Sequence, residues 1–366
     1  MMQEKVIAGF IGAGGIARSH AFSINSLKYY YNDVPEIVLE AVCSATEKSR
    51  KSFAEHFGFL HSYELDEFVR NDRINTVFIL GPNNVHYEHL LAVLDMKAIK
   101  RVYVEKPVCS TPEEEDATRN LVSGNPSVRI QVGYQYLFTA AARESIALWK
   151  SGIFGRPVHF DIKYYHSDYL KKEYRDRRVS RLTPAPDGGA MADLGSHAIS
   201  FLIAFFGNNL KITGAIQAGH FDDVTDESDL FSSISVYDEE SRASGTISAS
   251  RISSGTGDSL SAEIYAEKGA LRFSSLTPDY FEYYTEGSET WIRKMTGSNY
   301  KPVTSFPSGH VPGGWLRPMI HAHYVFLTGG SSEVIIPDIV HGLQVQKLVR
   351  ETAEHLRKFR DYISSL

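Results

Sequence analysis

A chain of 366 residues, 43% of them hydrophobic, is longer than the roughly 250–300 residues at which a single core stops growing, so two domains are expected. Its 38 Lys and Arg against 44 Asp and Glu leave a formal net charge of −6 with no long block of one sign, which argues against a nucleic-acid or anionic-membrane surface. Only Cys43 and Cys109 occur, far apart, so neither a disulfide framework nor a cysteine metal site is expected, and no apolar run reaches the ~18 residues of a membrane helix.

Met1-Met2-Gln3-Glu4-Lys5 runs straight into a strand-like stretch without an apolar signal core, so an unexported, cytoplasmic protein is expected. From Val6 to about Gln135, short apolar strands alternate with helix-length amphipathic segments, the pattern of a parallel sheet covered by helices on both faces. Strands are expected near 6–11, 37–43, 74–80, 101–105 and 128–134, with a short one near Leu60, and helices at 15–27, 47–57, 84–96 and 112–123. After Gly152-Ile153-Phe154-Gly155 the texture changes to alternating strands at 158–165, 230–237, 243–251 and 261–273, with a helix at 190–206 and two more at 315–328 and 337–360. The fold class is therefore α/β: a Rossmann domain at 1–135, then an α+β domain at 136–366 built on a large open, mainly antiparallel sheet.

Gly12-Ala13-Gly14-Gly15-Ile16-Ala17 follows the first strand and opens a helix, the context that gives this glycine pattern its meaning. Gly12 permits the tight turn, Gly14 lets the backbone approach a pyrophosphate, and Ala17 allows close helix packing, while the helix N-terminus binds phosphate oxygens. An acidic residue ending the second strand would read the ribose of NAD. Asp33 has nearly the expected spacing but precedes that strand, which ends instead at Ser44, followed by Thr46, Lys48 and Arg50. Hydroxyls with nearby cations suit a 2′-phosphate, so the choice tilts toward NADP over NAD.

The strand at 101–105 ends in Glu105-Lys106-Pro107, at the carboxyl edge where ligands bind in open α/β sheets. A lysine desolvated there can exchange protons near neutral pH; it can equally be a solvated strand cap. Gly81-Pro82-Asn83-Asn84-Val85-His86 follows the preceding strand, so Pro82, Asn83 and His86 are candidate dinucleotide contacts, or simply a strand stop and helix start. Asp193 and His197 lie four residues apart on a helix and so on one face, where the carboxylate could orient the imidazole. A surface pair or half a metal site has the same spacing, but no third ligand motif accompanies it and no metal is expected.

In this order and spacing, the glycine turn, Gly81-Pro82-Asn83-x-x-His86, Glu105-Lys106-Pro107, Val132-Gly133-Tyr134-Gln135-Tyr136 and Gly188-Gly189-x-x-x-Asp193-x-Gly195-x-His197 resemble the glucose-fructose oxidoreductase, inositol dehydrogenase and MocA family. The resemblance implies an NAD(P)-dependent oxidoreductase moving a hydride between nicotinamide and a carbon of a sugar or polyol, with Lys106, Asp193 and His197 catalytic. It implies cofactor contacts at Gly12, Ala13, Gly14, Gly15, Ile16, Ser44, Thr46, Lys48, Pro82, Asn83, His86, Glu105, Lys106 and Gln135. Substrate contacts fall at Lys106, Tyr136, His166, Arg181, Asp193 and His197, with Tyr164, His310 and Trp315 as softer candidates. A homodimer or homotetramer through the C-terminal sheet is implied as well. Two positions depart from the family pattern: Ser200 replaces a frequent aspartate, and Gln135 and Leu137 stand where Asn and Arg are frequent, which bears on substrate. A nicotinamide-using glycoside hydrolase and a non-catalytic dinucleotide sensor are the alternative readings.

Overall fold

The computed structural model describes residues 5–179, 182, 188–218, 221–225, 227–297, 316–329 and 335–365. They form two compact units.

In the first unit, β1 (Val6–Ile11), β2 (Ile37–Cys43), β3 (His61–Tyr63), β4 (Thr76–Ile79), β5 (Arg101–Val104) and β6 (Arg129–Val132) form one parallel sheet in the order β3-β2-β1-β4-β5-β6. Strands such as β1 and β4 are apolar almost throughout because both sheet faces are covered by helices. The connecting helices are α1 (Gly15–Tyr30), α2 (Glu47–Phe57), α3 (Leu65–Val69), α4 (His86–Leu94) and α5 (Pro112–Gly124). Local chemistry sets their ends. Thr111 and Glu114 form a reciprocal capping box ahead of Pro112, and α2 stops at Gly58 in the left-handed region at φ 80°. Strand order reverses between β2 and β4 on either side of β1, creating the crevice at the carboxyl edge where such sheets bind ligands.

The first unit extends to Phe138 rather than 135, and it takes back residues 316–343, which the sequence reading gives to the second domain. The helix Leu316–Thr328 places Ile320, Val325 and Phe326 in one core with Phe10, Leu27, Phe78 and Tyr103. A helix buried on nearly all sides must enter a core, but its periodicity does not say which one.

In the second unit, β7 (Pro157–Tyr165), β8 (Leu210–Ala218), β9 (Phe231–Asp238), β10 (Ser244–Ser250), β11 (Ser259–Ala266), β12 (Gly269–Ser274), β13 (Tyr280–Thr285) and β14 (Ile292–Met295) form one sheet in the order β14-β13-β12-β11-β7-β10-β9-β8. Every pairing is antiparallel except β7 with β10. The stretch 261–273 is thus a hairpin, not one strand. Alternate residues Phe160, Ile162, Ile247, Ala262 and Ile264 are fully buried. On this unit lie α6 (Ala140–Lys150), α7 (Lys172–Asp176) and α8 (Ser196–Phe206), and the chain ends in a helix, Ile339–Ser364. No described helix is long and apolar enough to cross a membrane.

Candidate functional site

The glycine turn has the geometry a dinucleotide requires. Gly12 sits at φ +124°, and a Cβ there would lie 2.5 Å from the carbonyl carbon and oxygen of Leu80, so only glycine fits. Gly14, by contrast, has nothing within 4 Å of its missing side chain and leaves open space above the turn. It caps α1 without a side-chain hydrogen bond, and no acidic residue stands in the first turn, so the backbone N–H groups there face an uncompensated positive helix end. Ala13, Gly14, Gly15 and Ile16 are at least partly exposed on this turn, while Ala17 is buried against the sheet.

Beside the turn lies a groove of about 470 Å³ lined by Ala13, Arg18, Thr46, Lys48, Ser49, Ser52, Phe53, His56 and Phe57. Lys48 is exposed here as the sequence suggests, and Arg18, which sequence reasoning passes over, joins it from α1. Thr46 has a structural duty too: its hydroxyl accepts from Ser49 N–H at 3.3 Å and caps α2. Arg50 turns away from the groove, donating to Glu64 at 2.9 Å and to the Ser44 carbonyl at 3.4 Å. Asp33 accepts from the Tyr324 hydroxyl at 2.8 Å, which ties it to the helix 316–328.

After β4, Pro82 is exposed and Asn83 half-buried, but His86 is completely buried. Its Nδ1 lies 2.6 Å from the Pro107 carbonyl oxygen and its Nε2 3.0 Å from that of Gly81. A neutral imidazole donates to one of these two carbonyls and packs against the other, so His86 braces the ends of β4 and β5 from within the core. Glu105 also differs from expectation: its carboxylate is turned into the core, where His20 Nε2 lies 2.8 Å from Oε1. Lys106 is half-buried, as is Gln135, and Tyr136 is buried in the same turn, Gln135–Phe138.

In the second unit a single π-helical turn, Met191–Gly195, leads into α8. Such turns are rare and concentrate at functional positions. It is built on Asp229, which is wholly buried, receives the Met191 N–H at 2.9 Å, and fills the space where a Gly189 side chain would begin, at φ +86°. Burial raises the Asp229 carboxyl above the usual carboxylate range. Asp193, inside the turn, receives Arg251 at 2.8 Å through Oδ2. Arg251 has no solvent exposure, and its guanidinium lies 4.6 Å over the Tyr169 ring. His197 follows on α8, buried, with its ring 5.7 Å from that of Tyr164, whose hydroxyl donates to Asp258 at 3.2 Å.

His166 stands just past the carboxyl end of β7, next to the end of β10 that leads into Arg251, because Tyr165 and Ser250 are register partners. Burial holds its imidazole below the usual histidine range, hence neutral near pH 7. This unit therefore brings a guanidinium-held carboxylate, neutral imidazole and phenol together, groups that hydrogen-bond a polyhydroxy molecule. Arg251, Tyr169 and Asp229 were not found from sequence. Arg181, His310 and Trp315 lie outside the described residues. Among the described residues, no three His, Cys, Asp or Glu side chains are grouped to hold a metal ion.

Residues 6–134 match the oxidoreductase family with an NAD-binding Rossmann fold, and residues 141–272 match the GFO/IDH/MocA C-terminal domain. Glucose-6-phosphate 3-dehydrogenase of Bacillus subtilis is 27% identical over 57% of this chain and 56% of its own length, so that match spans just over half of the relative. Levoglucosan dehydrogenase of Pseudarthrobacter phenanthrenivorans is 22% identical over 93% of this chain and 94% of its own. Among solved structures, a levoglucosan dehydrogenase in complex with NADH and levoglucosan superposes with a TM-score of 0.86 at 19% identity, covering 97% of this chain and 98% of that one.

Proposed function

The chain belongs to the GFO/IDH/MocA oxidoreductase family, and within it we propose an NAD(P)-dependent dehydrogenase acting on a hydroxyl of a sugar, sugar derivative or cyclitol. The observation that carries the reading is the cradle at Gly12 and Gly14, where a glycine-only turn leaves open space above an uncapped helix N-terminus. When bound there, the nicotinamide supplies a hydride acceptor or donor. The chain's own part is proton handling and orientation: Lys106 or His197 exchanges the hydroxyl proton, and Asp193, held by Arg251, accepts hydrogen bonds from neighbouring substrate hydroxyls. The relatives whose names specify sugars and cyclitols support the substrate class.

Of the two dinucleotides, NADP is the better fit. Arg18 and Lys48 supply positive charge to a groove that also holds Thr46, Ser49 and Ser52, and no acidic side chain lines it to accept a free ribose hydroxyl pair. One relative, a scyllo-inositol 2-dehydrogenase of Bacillus subtilis that is 25% identical over 50% of this chain, is named for NADP. Self-association as a homodimer or homotetramer through the outer face of the eight-stranded sheet completes the reading.

A panel of sugars and polyols offered with each oxidised dinucleotide tests it. Accumulation of reduced nicotinamide with at least one of them is expected. Net glycosidic cleavage without accumulation would replace the dehydrogenase with a hydrolase, and dinucleotide binding without either would leave a sensor.

A further inference from the structure

Three buried ionisable side chains of the first unit have no part in the chemistry described so far. His20 of α1 lies with Nε2 2.8 Å from Glu105 Oε1 and Nδ1 2.8 Å from Nε2 of His323, on the helix Leu316–Thr328. Both imidazoles have zero exposure, and Glu105 has 8%. Aromatic rings wall the group: Tyr103 stands 5.1 Å from His20 and 5.5 Å from His323, and Phe78 5.9 and 5.2 Å. Gly133 makes room for the carboxyl, since a Cβ at that position would fall 2.7 Å from Glu105 Oε1.

The proton positions follow from chemistry. Burial and the neighbouring His20 push His323 well below the usual histidine range, so its ring is neutral and carries one N–H. With that hydrogen on Nε2, His323 donates to His20 Nδ1 and His20 donates to Glu105, so three groups form one directional chain ending on a carboxylate. A carboxylate held in this way cannot swing. Its backbone is fixed as well, because the Glu105 N–H bonds the Ile79 carbonyl at 3.0 Å. Lys106 is the next residue, half-buried, so a Glu105 anchored by both its side chain and its backbone fixes the point of the chain from which the Lys106 side chain leaves.

We propose that His20 and His323 are positioning residues, which act through Glu105 to fix the direction in which Lys106 presents its amine. The inference rests on the reading above, in which Lys106 exchanges the substrate's hydroxyl proton. It adds two histidines and assigns Glu105 to the support of Lys106 rather than to cofactor contact.

The test uses the full-length protein and the variants His20→Phe, His20→Gln, Glu105→Gln and the His20→Gln, Glu105→Gln double variant. Phe fits the aromatic wall but cannot donate, whereas the Gln amide still can. His20→Phe is expected to lower kcat by about tenfold or more with the dinucleotide Kd and substrate KM little changed, and His20→Gln to recover most of that loss. The double variant is expected to lose no more than the worse single one, because all act through one chain. Without ligand, Glu105→Gln is expected to shift the far end of the chain, His323, in imidazole nitrogen NMR as well as His20. Additive losses, a parallel fall in dinucleotide affinity, no rescue by Gln, or an unmoved His323 resonance would each overturn the proposal while wild-type turnover upholds the functional reading. Absence of wild-type turnover on the polyol panel would overturn both.

Discussion

Asp193→Ala removes the carboxylate that Arg251 holds at 2.8 Å, and leaves a guanidinium with no solvent exposure facing the gap. Breaking a buried pair from one side costs about 3–5 kcal/mol, because the remaining charge stays desolvated. The Asp193 side chain is 22% exposed and Tyr169 still stacks on Arg251, so water and ring both compensate and the lower end, about 3 kcal/mol, applies. In a unit of this size each kcal/mol moves the melting temperature by roughly 2–4 °C, so a fall of about 6–12 °C is expected in calorimetry. Asp193→Asn keeps an oxygen acceptor for Arg251 and should cost only about 1–2 kcal/mol. It should nevertheless lose kcat/KM by about a hundredfold, since the proposed function has this anion accept from the substrate hydroxyls. An Asp193→Ala protein destabilised by less than about 1 kcal/mol would refute the argument, for the pair would then behave as a solvated surface bridge.

Lys48→Glu and Ser44→Asp each place a negative charge beside the groove that Arg18 and Lys48 line, and each should shift the ratio of NADP to NAD kcat/KM toward NAD by about fivefold to tenfold; an unmoved ratio means the ribose is read elsewhere. Lys106→Met should bind dinucleotide within about threefold of wild type in fluorescence titration while turnover disappears, and persisting turnover would remove Lys106 from the chemistry. The third concerns acid. Burial depresses the imidazoles of His89 (to about 4), His166 and His323, so the folded protein binds fewer protons than the unfolded chain below about pH 6.5. These three imidazoles therefore contribute nothing above that pH and lower stability beneath it, against the opposite contribution of Asp229, whose raised carboxyl gains stability as pH falls. His323, fully buried, contributes about 1.4 kcal/mol per pH unit, and the more exposed His89 and His166 contribute less. Urea midpoints that stay constant between about pH 7 and pH 5 would contradict this.

Local chemistry made the first unit readable. The glycine turn and the apolar strands depend on neighbours within a few residues, and apart from the unforeseen short helix α3 the structure places strands and helices there close to their expected limits. The second unit was harder because its strands carry weaker patterns. In β8 the alternation slips at a register shift between Ile212 and Gly214, and β13, Tyr280 to Thr285, is aromatic on both faces rather than alternating. The strands β8, β13 and β14, and also the helices α6 and α7, had no counterpart in the sequence reading. Lys106, Asp193 and His197 stood out by motif, but the buried partners did not: Arg251 is 58 positions from the Asp193 it holds, and His323 is 303 from His20.

Such distant partners leave no periodic trace, yet their consequences were present locally. His20 falls among Ala17, Ala21 and Ile24 on the buried stripe of α1, and a polar ring on such a stripe must find a hydrogen-bonding partner inside the core. Gly133 directly follows the strand β6, where a missing side chain signals the close approach of another group. A core histidine that needs an acceptor and a glycine that needs a neighbour are each commonplace. Taken with an acidic residue at the end of the adjacent strand, which has no reason to be apolar-facing unless it is paired, they would have pointed to Glu105 as the group both were waiting for.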